Sequence, residues 1–241
     1  MALMHSPKIV TDNLVLCLDA ANTKSYPGTG TSWTDMINGN IATTHDGVDY
    51  QSIYGGVMNF DGTNDRITLP NTAQPNGLGA AFTIEIWNYW NNSTAPTHVW
   101  SGSLFTNGGG AGDWHNGAGN NNGLIIGFNH IVRRSGSGIE KNTAYSPAPA
   151  VQTWHQTVLT LNSGTGNVYV DTTNVMSNNT DFRSNYTQVT GTTGIGLADY
   201  YGSNYRGEMN GYISIVRIYD KVLSTTEIKQ NFDAHKGRYG L

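Results

Sequence analysis

A chain of 241 residues with a net charge of −4 and only 12% charged residues lacks the basic face that nucleic-acid binding requires. Its surface must be built largely from Asn, Thr, Ser, Gly and Tyr, which suits neutral polar partners such as glycans or other protein coats. The single cysteine, Cys17, excludes an internal disulfide, and the length fits one large β domain of roughly 200–250 residues. In chain order, strands are predicted at Leu14–Leu18, Val57–Phe60, Arg66–Leu69, Phe82–Trp90, His98–Phe105 and Leu124–His130. Four more follow at Trp154–Leu161, Asn167–Asp171, Thr193–Leu197 and Tyr212–Tyr219. The strand from Phe82 to Trp90 alternates, with Phe82, Ile84, Ile86 and Trp90 on one face. Tyr212–Tyr219 is apolar on both faces apart from Ser214 and Arg217, the pattern of a central strand. Turns fall at Asp61-Gly62, Asn76-Gly77 and the Asn162–Asn167 stretch, where Gly and Asn supply positive φ.

The last strand runs through Lys221 and Leu223 into a short helix. Ser224 and Glu227 have the spacing of a capping box, Leu223 and Ile228 stand at the staple positions, and Gly237 is placed to end the helix. Many short strands, Gly-rich turns and one helix predict an all-β, two-sheet antiparallel jelly-roll sandwich. Residues 1–12 are expected to be an N-terminal arm and residues 13–241 a single domain. Cys17, among apolar neighbours, is expected to be a buried thiol. The amino terminus shows no basic start followed by a long apolar run, so no secretory signal is expected.

The closing segment GYISIVRIYDKVLSTTEIKQNF resembles that of laminin-G-like, concanavalin-A-like jelly rolls. Four other segments match the same pattern in order: the opening IVTDNLVLCLDAANTKSYPGTGTSWTDMINGN, then VMNFDGTNDRITLP, FTIEIWNYW and TWHQTVLTLNSGTGNVYVD. The opening block resembles structural proteins of tailed phages, marine ones especially. It departs from them at Met36-Ile37, where such openings more often read Leu-Ser; this alters packing, not chemistry. The resemblance implies an adhesive or lectin-like role and raises the expectation of calcium near a sandwich rim.

Enzymatic signatures are lacking. Retaining glycosidases of related fold need two carboxylates about 5–5.5 Å apart. The candidate strand offers Glu85 alone, with Thr83 and Trp87 at the flanking same-face positions, and Glu85 is expected to be solvated or hydrogen-bonded on the outer face. No G-x-S-x-G, H-E-x-x-H, P-loop or G-x-G-x-x-G motif is present, and the seven histidines show no zinc spacing. His155 reads as an ordinary strand residue without a placed partner.

Binding chemistry is more plausible. Asp61, Asn64 and Asp65 gather hard oxygens in one turn, and Glu208 or Asp199 from a neighbouring loop could complete a calcium shell; the competing reading is a self-bonded turn. Two aromatic segments are candidate ligand or interface surfaces. One is Asp113, Trp114 and His115 in a long Gly/Asn-rich loop, and the other is Asp199, Tyr200, Tyr201, Asn204, Tyr205 and Arg206 before the last strand. The reading is a non-catalytic virion accessory protein, a head decoration or a tail or fibre component. It is expected to be made in the host cytoplasm and to contact virion proteins or its own copies, with host glycan as a further ligand. A free or cell-surface carbohydrate-binding module, active outside the cell, and a polysaccharide-degrading enzyme with an unrecognised site are the alternatives.

Overall fold

The computed structural model describes residues 7–70, 80–97, 102–107, 124–134, 140–180, 182, 193–196, 199–201 and 204–241. The first strands are β1 (Leu14–Asp19), β2 (Ser32–Thr34), β3 (Ile41–His45), β4 (Asp49–Gln51), β5 (Val57–Asp61) and β6 (Arg66–Leu69). Next come β7 (Ala81–Trp90), β8 (Ser103–Asn107), β9 (Leu124–Gly127), β10 (His130–Arg134), β11 (Glu140–Ala144) and β12 (Trp154–Asn162). The last are β13 (Thr165–Val170), β14 (Thr173–Asn179), β15 (Thr193–Ile195), β16 (Asp199–Tyr201), β17 (Asn204–Arg206) and β18 (Asn210–Tyr219). One helix, α1 (Thr225–His235), follows them, and 3-10 turns lie at Ile53–Gly55 and Lys236–Tyr239.

Two antiparallel sheets face each other. The first runs β14-β13-β12-β7-β18-β5-β4, with β1 also paired to β18; the second runs β11-β10-β9-β8-β15-β6-β3-β2. This is the expected jelly-roll sandwich. β18 is central as its two apolar faces predicted, paired along one edge with β7 and along the other with β5 and then β1. Phe82, Ile84, Ile86 and Trp90 of β7 meet Phe105, Ile126 and Ile195 of the opposite sheet in the main core. The single strand expected over Leu124–His130 is instead a hairpin, with β9 paired to β10 around Phe128 and Asn129. Gly127 and Asn129 inside this run were the available sign of the reversal. The short strands β2, β3, β4, β11 and β14 were not evident from sequence; they are short or polar and hold their place by pairing.

The outer face of the first sheet carries α1. Ser224 caps the helix and its box with Glu227 is complete, as the spacing predicted. Leu223 and Ile228 are both buried beside Cys17 and Tyr219. Gly237 does not end the helix. It lies inside the 3-10 turn, and Gly240, at φ 76°, takes the left-handed position. Residues 8–10 of the expected arm lie along this helix. The Val10 amide donates to Asn231 Oδ1 at 2.8 Å, Tyr219 donates to the Val10 carbonyl, and Gln230 donates to the Lys8 carbonyl.

Candidate functional site

The outward side chains of β7 grade from a sealed polar network to an uncovered aromatic edge. Thr83 donates to the Lys221 carbonyl and accepts from the Leu223 amide, fixing the chain where it turns into α1. Glu85 comes next and is fully buried. Its Oε1 accepts from Trp87 Nε1 at 3.1 Å, Gln156 Nε2 at 3.0 Å and Arg217 Nη1 at 3.0 Å, while Oε2 accepts from Asn231 Nδ2 at 2.7 Å. The expectation of a solvated Glu85 is therefore corrected, because the helix roofs this part of the face. Hydrogen bonding, the other half of that expectation, holds. Burial opposes the Arg217 charge, but Glu85 and the neighbouring Cys17 and Tyr219 more than offset it, holding the guanidinium above its ordinary range. Cys17 is buried as expected, and burial pushes its thiol up.

Trp87, one step further, stacks on Phe232 at 5.7 Å and on Tyr239 at 4.4 Å. Beyond it α1 ends and only Tyr239 of the 3-10 turn still reaches Trp154, 4.4 Å between ring centroids, while Tyr89 lies half-buried beside Tyr212 and Trp154. His155 points the other way, toward the core. Its Nδ1 faces Asp171 Oδ2 at 2.6 Å and its Nε2 faces the Ala150 carbonyl at 2.8 Å. Both ring nitrogens are occupied within the fold, in keeping with a structural residue.

At the Trp90 end of β7 an open cleft of about 310 Å³ forms where three segments converge. Gly62 comes from the turn after β5, Asn92, Thr94 and Thr97 from the loop after β7, and Glu208 and Asn210 from the approach to β18. Trp90 also lines the cleft, its indole donating to the Thr94 carbonyl at 2.8 Å. The position is set by backbone bonds: Gly102 and Ser103 donate to the carbonyls of Glu208 and Gly207, and Met209 donates to that of Gly196. Asn210 Nδ2 donates to the Asp61 carbonyl, drawing the two segments together, and Gly62 at φ 83° leaves room for that amide. Among the described residues Glu208 is the only carboxylate lining the cleft, so these residues set no pair of acids there for glycosidic chemistry.

The predicted metal residues separate. Asp61 Oδ1 accepts from the Thr63 amide at 2.7 Å, and Asp65 Oδ2 accepts from the Asp61 amide at 2.8 Å. Asp65 is buried with Oδ1 against the Gly47 turn, and burial raises its pKa above the usual carboxylate range. Asn64 is partly exposed in the same turn, and Glu208 stands across the cleft. Among the described residues no three His, Cys, Asp or Glu side chains converge as ligands. This donor set fits a self-bonded turn and falls short of the six to eight oxygens calcium takes.

Asp199, Tyr200 and Tyr201 pair with Arg206, Tyr205 and Asn204 as the hairpin β16–β17, which runs directly into Gly207 and Glu208. The hairpin thus joins the cleft end of the sandwich. Asp113, Trp114 and His115 lie outside the described residues. Their segment leaves and rejoins the fold at the paired Asn107 and Leu124, the opposite end of β8 from Ser103. The two aromatic segments therefore do not share one attachment point. Sequence reading missed Trp90, Asn92, Thr94, Thr97 and Asn210; the polar run Asn91–Thr97 was the available signal.

A laminin-G profile described as the concanavalin A-like lectin/glucanases superfamily matches residues 61–229. The chain belongs to this superfamily. Among curated proteins none matches. Among solved structures, domain 4 of an extracellular arabinanase from Geobacillus stearothermophilus, in complex with arabinotriose, is similar at 14% identity and a TM-score of 0.63. The match covers 91% of this chain and 98% of that domain. Trypanosoma rangeli sialidase in complex with sialic acid is 18% identical with a TM-score of 0.62, over 98% of this chain and 36% of the sialidase. The receptor-binding domain of a botulinum neurotoxin C/D mosaic is 15% identical with a TM-score of 0.62, over 93% of this chain and 52% of that one. The superfamily member thus spans about a third of the sialidase and half of the toxin domain. At these identities the likeness establishes the fold.

Proposed function

We propose that this superfamily member is a non-catalytic glycan-binding protein, with the rim cleft beside Trp90 as its ligand site. The observation that carries the reading is the contrast in carboxylates. Glu85 is sealed under α1 with four donors on it, whereas Glu208 stands in an open cleft among amides and hydroxyls. Amides, hydroxyls and one acid suit the hydroxyls of a sugar, and a single acid suits holding rather than cutting. The arabinotriose-bound arabinanase domain supports the same ligand class, since nearly the whole of that domain matches this fold.

The biological setting we propose is a virion, as head decoration or part of a tail or fibre, in contact with virion proteins or with copies of the chain itself. It rests on the opening segment Leu18–Asn22 and Ser25–Gly30, and on a weakly charged surface suited to assembly. Incubation with a panel of polysaccharides, read by reducing-sugar release and by a glycan array, tests the function. Array binding without release is expected; sugar release that Glu208→Gln abolishes would replace the binder with a hydrolase. Genes for portal, capsid or tail proteins beside this one are the expected setting, and their absence would favour a free or cell-surface carbohydrate-binding module.

A further inference from the structure

The uncovered end of the outer face carries a second set of features suited to sugar. Tyr89 of β7 and Tyr212 of β18 are direct cross-strand partners with ring centroids 5.6 Å apart. A register shift between Ile213 and Ile215 turns Tyr212 outward while Ile213 and Val216 both face the core. Gly211, at φ 143°, makes the approach possible, since a Cβ there would press into the Tyr89 carbonyl. Beneath and beside these rings is Trp154, 5.8 Å from Tyr89 and 6.4 Å from Tyr212.

Tyr54 completes the group from the other side. Its ring sits 5.4 Å from Trp154, nearly edge-on at 70°, and it is 43% exposed. It holds φ 49°, an uncommon conformation for a bulky residue that persists only where the surroundings fix it. Here Arg238 fixes it, donating to the carbonyls of Tyr54 and Gly56 while paired with Asp19. An aromatic ring is therefore held out to solvent by a clamp on its backbone. Among the described residues the hydroxyls of Tyr54, Tyr89 and Tyr212 make no hydrogen bond, and the buried Trp154 indole N–H meets no acceptor. Arg238, the charged group beside the rings, is already neutralised by Asp19.

We propose that Tyr54, Tyr89 and Tyr212 around Trp154 form a second glycan-binding surface, one that takes neutral sugar rings by stacking. Electroneutrality, the exposed Tyr54 ring beside the half-buried Tyr89 and Tyr212, and phenol hydroxyls unengaged by described residues match the C–H faces and hydroxyls of an uncharged pyranose or furanose. Among the described residues a phosphate, sulfate or sialic acid would find no free cation beside these rings. The surface borders the cleft: Trp90 and Asn210 line the cleft, while Tyr89 and Tyr212 lie next to them on the same two strands. A chain crossing the rim at Asn91 would meet both surfaces, and the second contact then raises affinity through effective concentration. The inference rests on the glycan-binding reading for its ligand class, and names a separate site.

The test is affinity electrophoresis of the full chain in gels containing arabinan, xylan or mixed-linkage β-glucan, with a sialylated polymer as the charged control. Retention by at least one neutral polymer is expected, weakened roughly tenfold in Kd by Tyr89→Ala with Tyr212→Ala, as truncated aromatic anchors commonly are. Tyr54→Gly, which suits the positive φ, should weaken it by less. Thermal melting and near-UV circular dichroism check folding; if the double alanine variant does not fold, Tyr89→Phe with Tyr212→Phe tests the hydroxyls alone. Retention unchanged in the tyrosine variants but lost in Asn92→Ala with Glu208→Gln would overturn this surface and leave the cleft reading standing. Retention by none of the polymers would remove both. If the tyrosine variants abolish self-association while sugar retention is unchanged, the surface is a protein contact and the inference fails.

Discussion

The two halves of one sheet face differ in how far their polar groups and rings are satisfied inside the protein. Under α1, Glu85 meets Arg217, Gln156, Asn231 and Trp87, and Trp87 stacks on both Phe232 and Tyr239. Two residues further along β7 the cover thins, and Tyr89 and Tyr212 bond no described residue through their hydroxyls. The helix is 11 residues long, about 16 Å at 1.5 Å per residue, and it spans only the first tiers of the face. Polar groups sealed together hold the fold, whereas groups left unmatched at an edge are available to a ligand. A carboxylate on the outer face is thus no mark of a site until its partners are known.

Four changes break or sharpen this contrast. Glu85→Ala leaves Arg217 buried without its carboxylate and should cost about 3–5 kcal/mol in urea unfolding. Glu85→Leu combined with Arg217→Met should recover much of that loss, because the two buried charges then leave together. Recovery would show that the network is structural; a single variant that melts like wild type would mean the site is open.

The second concerns pH. His235 accepts a hydrogen bond from Arg217, and burial together with that guanidinium lowers its pKa from 6.5 to about 3. The unfolded chain therefore takes up a proton that the folded chain refuses between those values. This contribution is complete above pH 6.5 and is lost as pH falls toward 3. Stability followed by denaturant midpoints should decline through that window, and His235→Asn should flatten the decline. Glu227, held low by Lys221 and the Ser224 amide, adds a further loss that begins within this window, as pH falls below its ordinary 4.5.

Third, Ser224→Ala removes the cap and should lower stability by about 1 kcal/mol, read as a drop in Tm. The smallest effect on stability belongs to the cleft. Asn92→Ala with Glu208→Gln should change unfolding by no more than about 0.5 kcal/mol per site yet weaken glycan retention. A large destabilisation there would mean that the cleft side chains support the fold instead of a ligand.

Much of the scaffold was legible because local rules and global packing agree. The alternation of Phe82–Trp90, the two apolar faces of Tyr212–Tyr219 and the Ser224–Glu227 box each point to the element observed. The site was less legible. Glu208 and the turn at Asp61 do meet around one cleft, but Asp65 turns inward and the donors do not gather as ligands. Asn92, Thr94 and Tyr89 were not singled out from sequence, and Tyr212 stood only at the start of a strand apolar on both faces. Nothing in a linear chain says that a register shift brings those two rings together or that the helix stops short of them.

What the sequence determined by itself is the sandwich with its single helical clip, since strand period, turn chemistry and capping act over a few residues. What tertiary structure decided is which outward positions are roofed. The roof arrives from the far end of the chain, and the separation of Glu85 from Asn231 by 146 residues lies beyond any local pattern. Burial is a property of the whole packing, and it alone sorted Glu85 into the interior and Tyr89 to the edge.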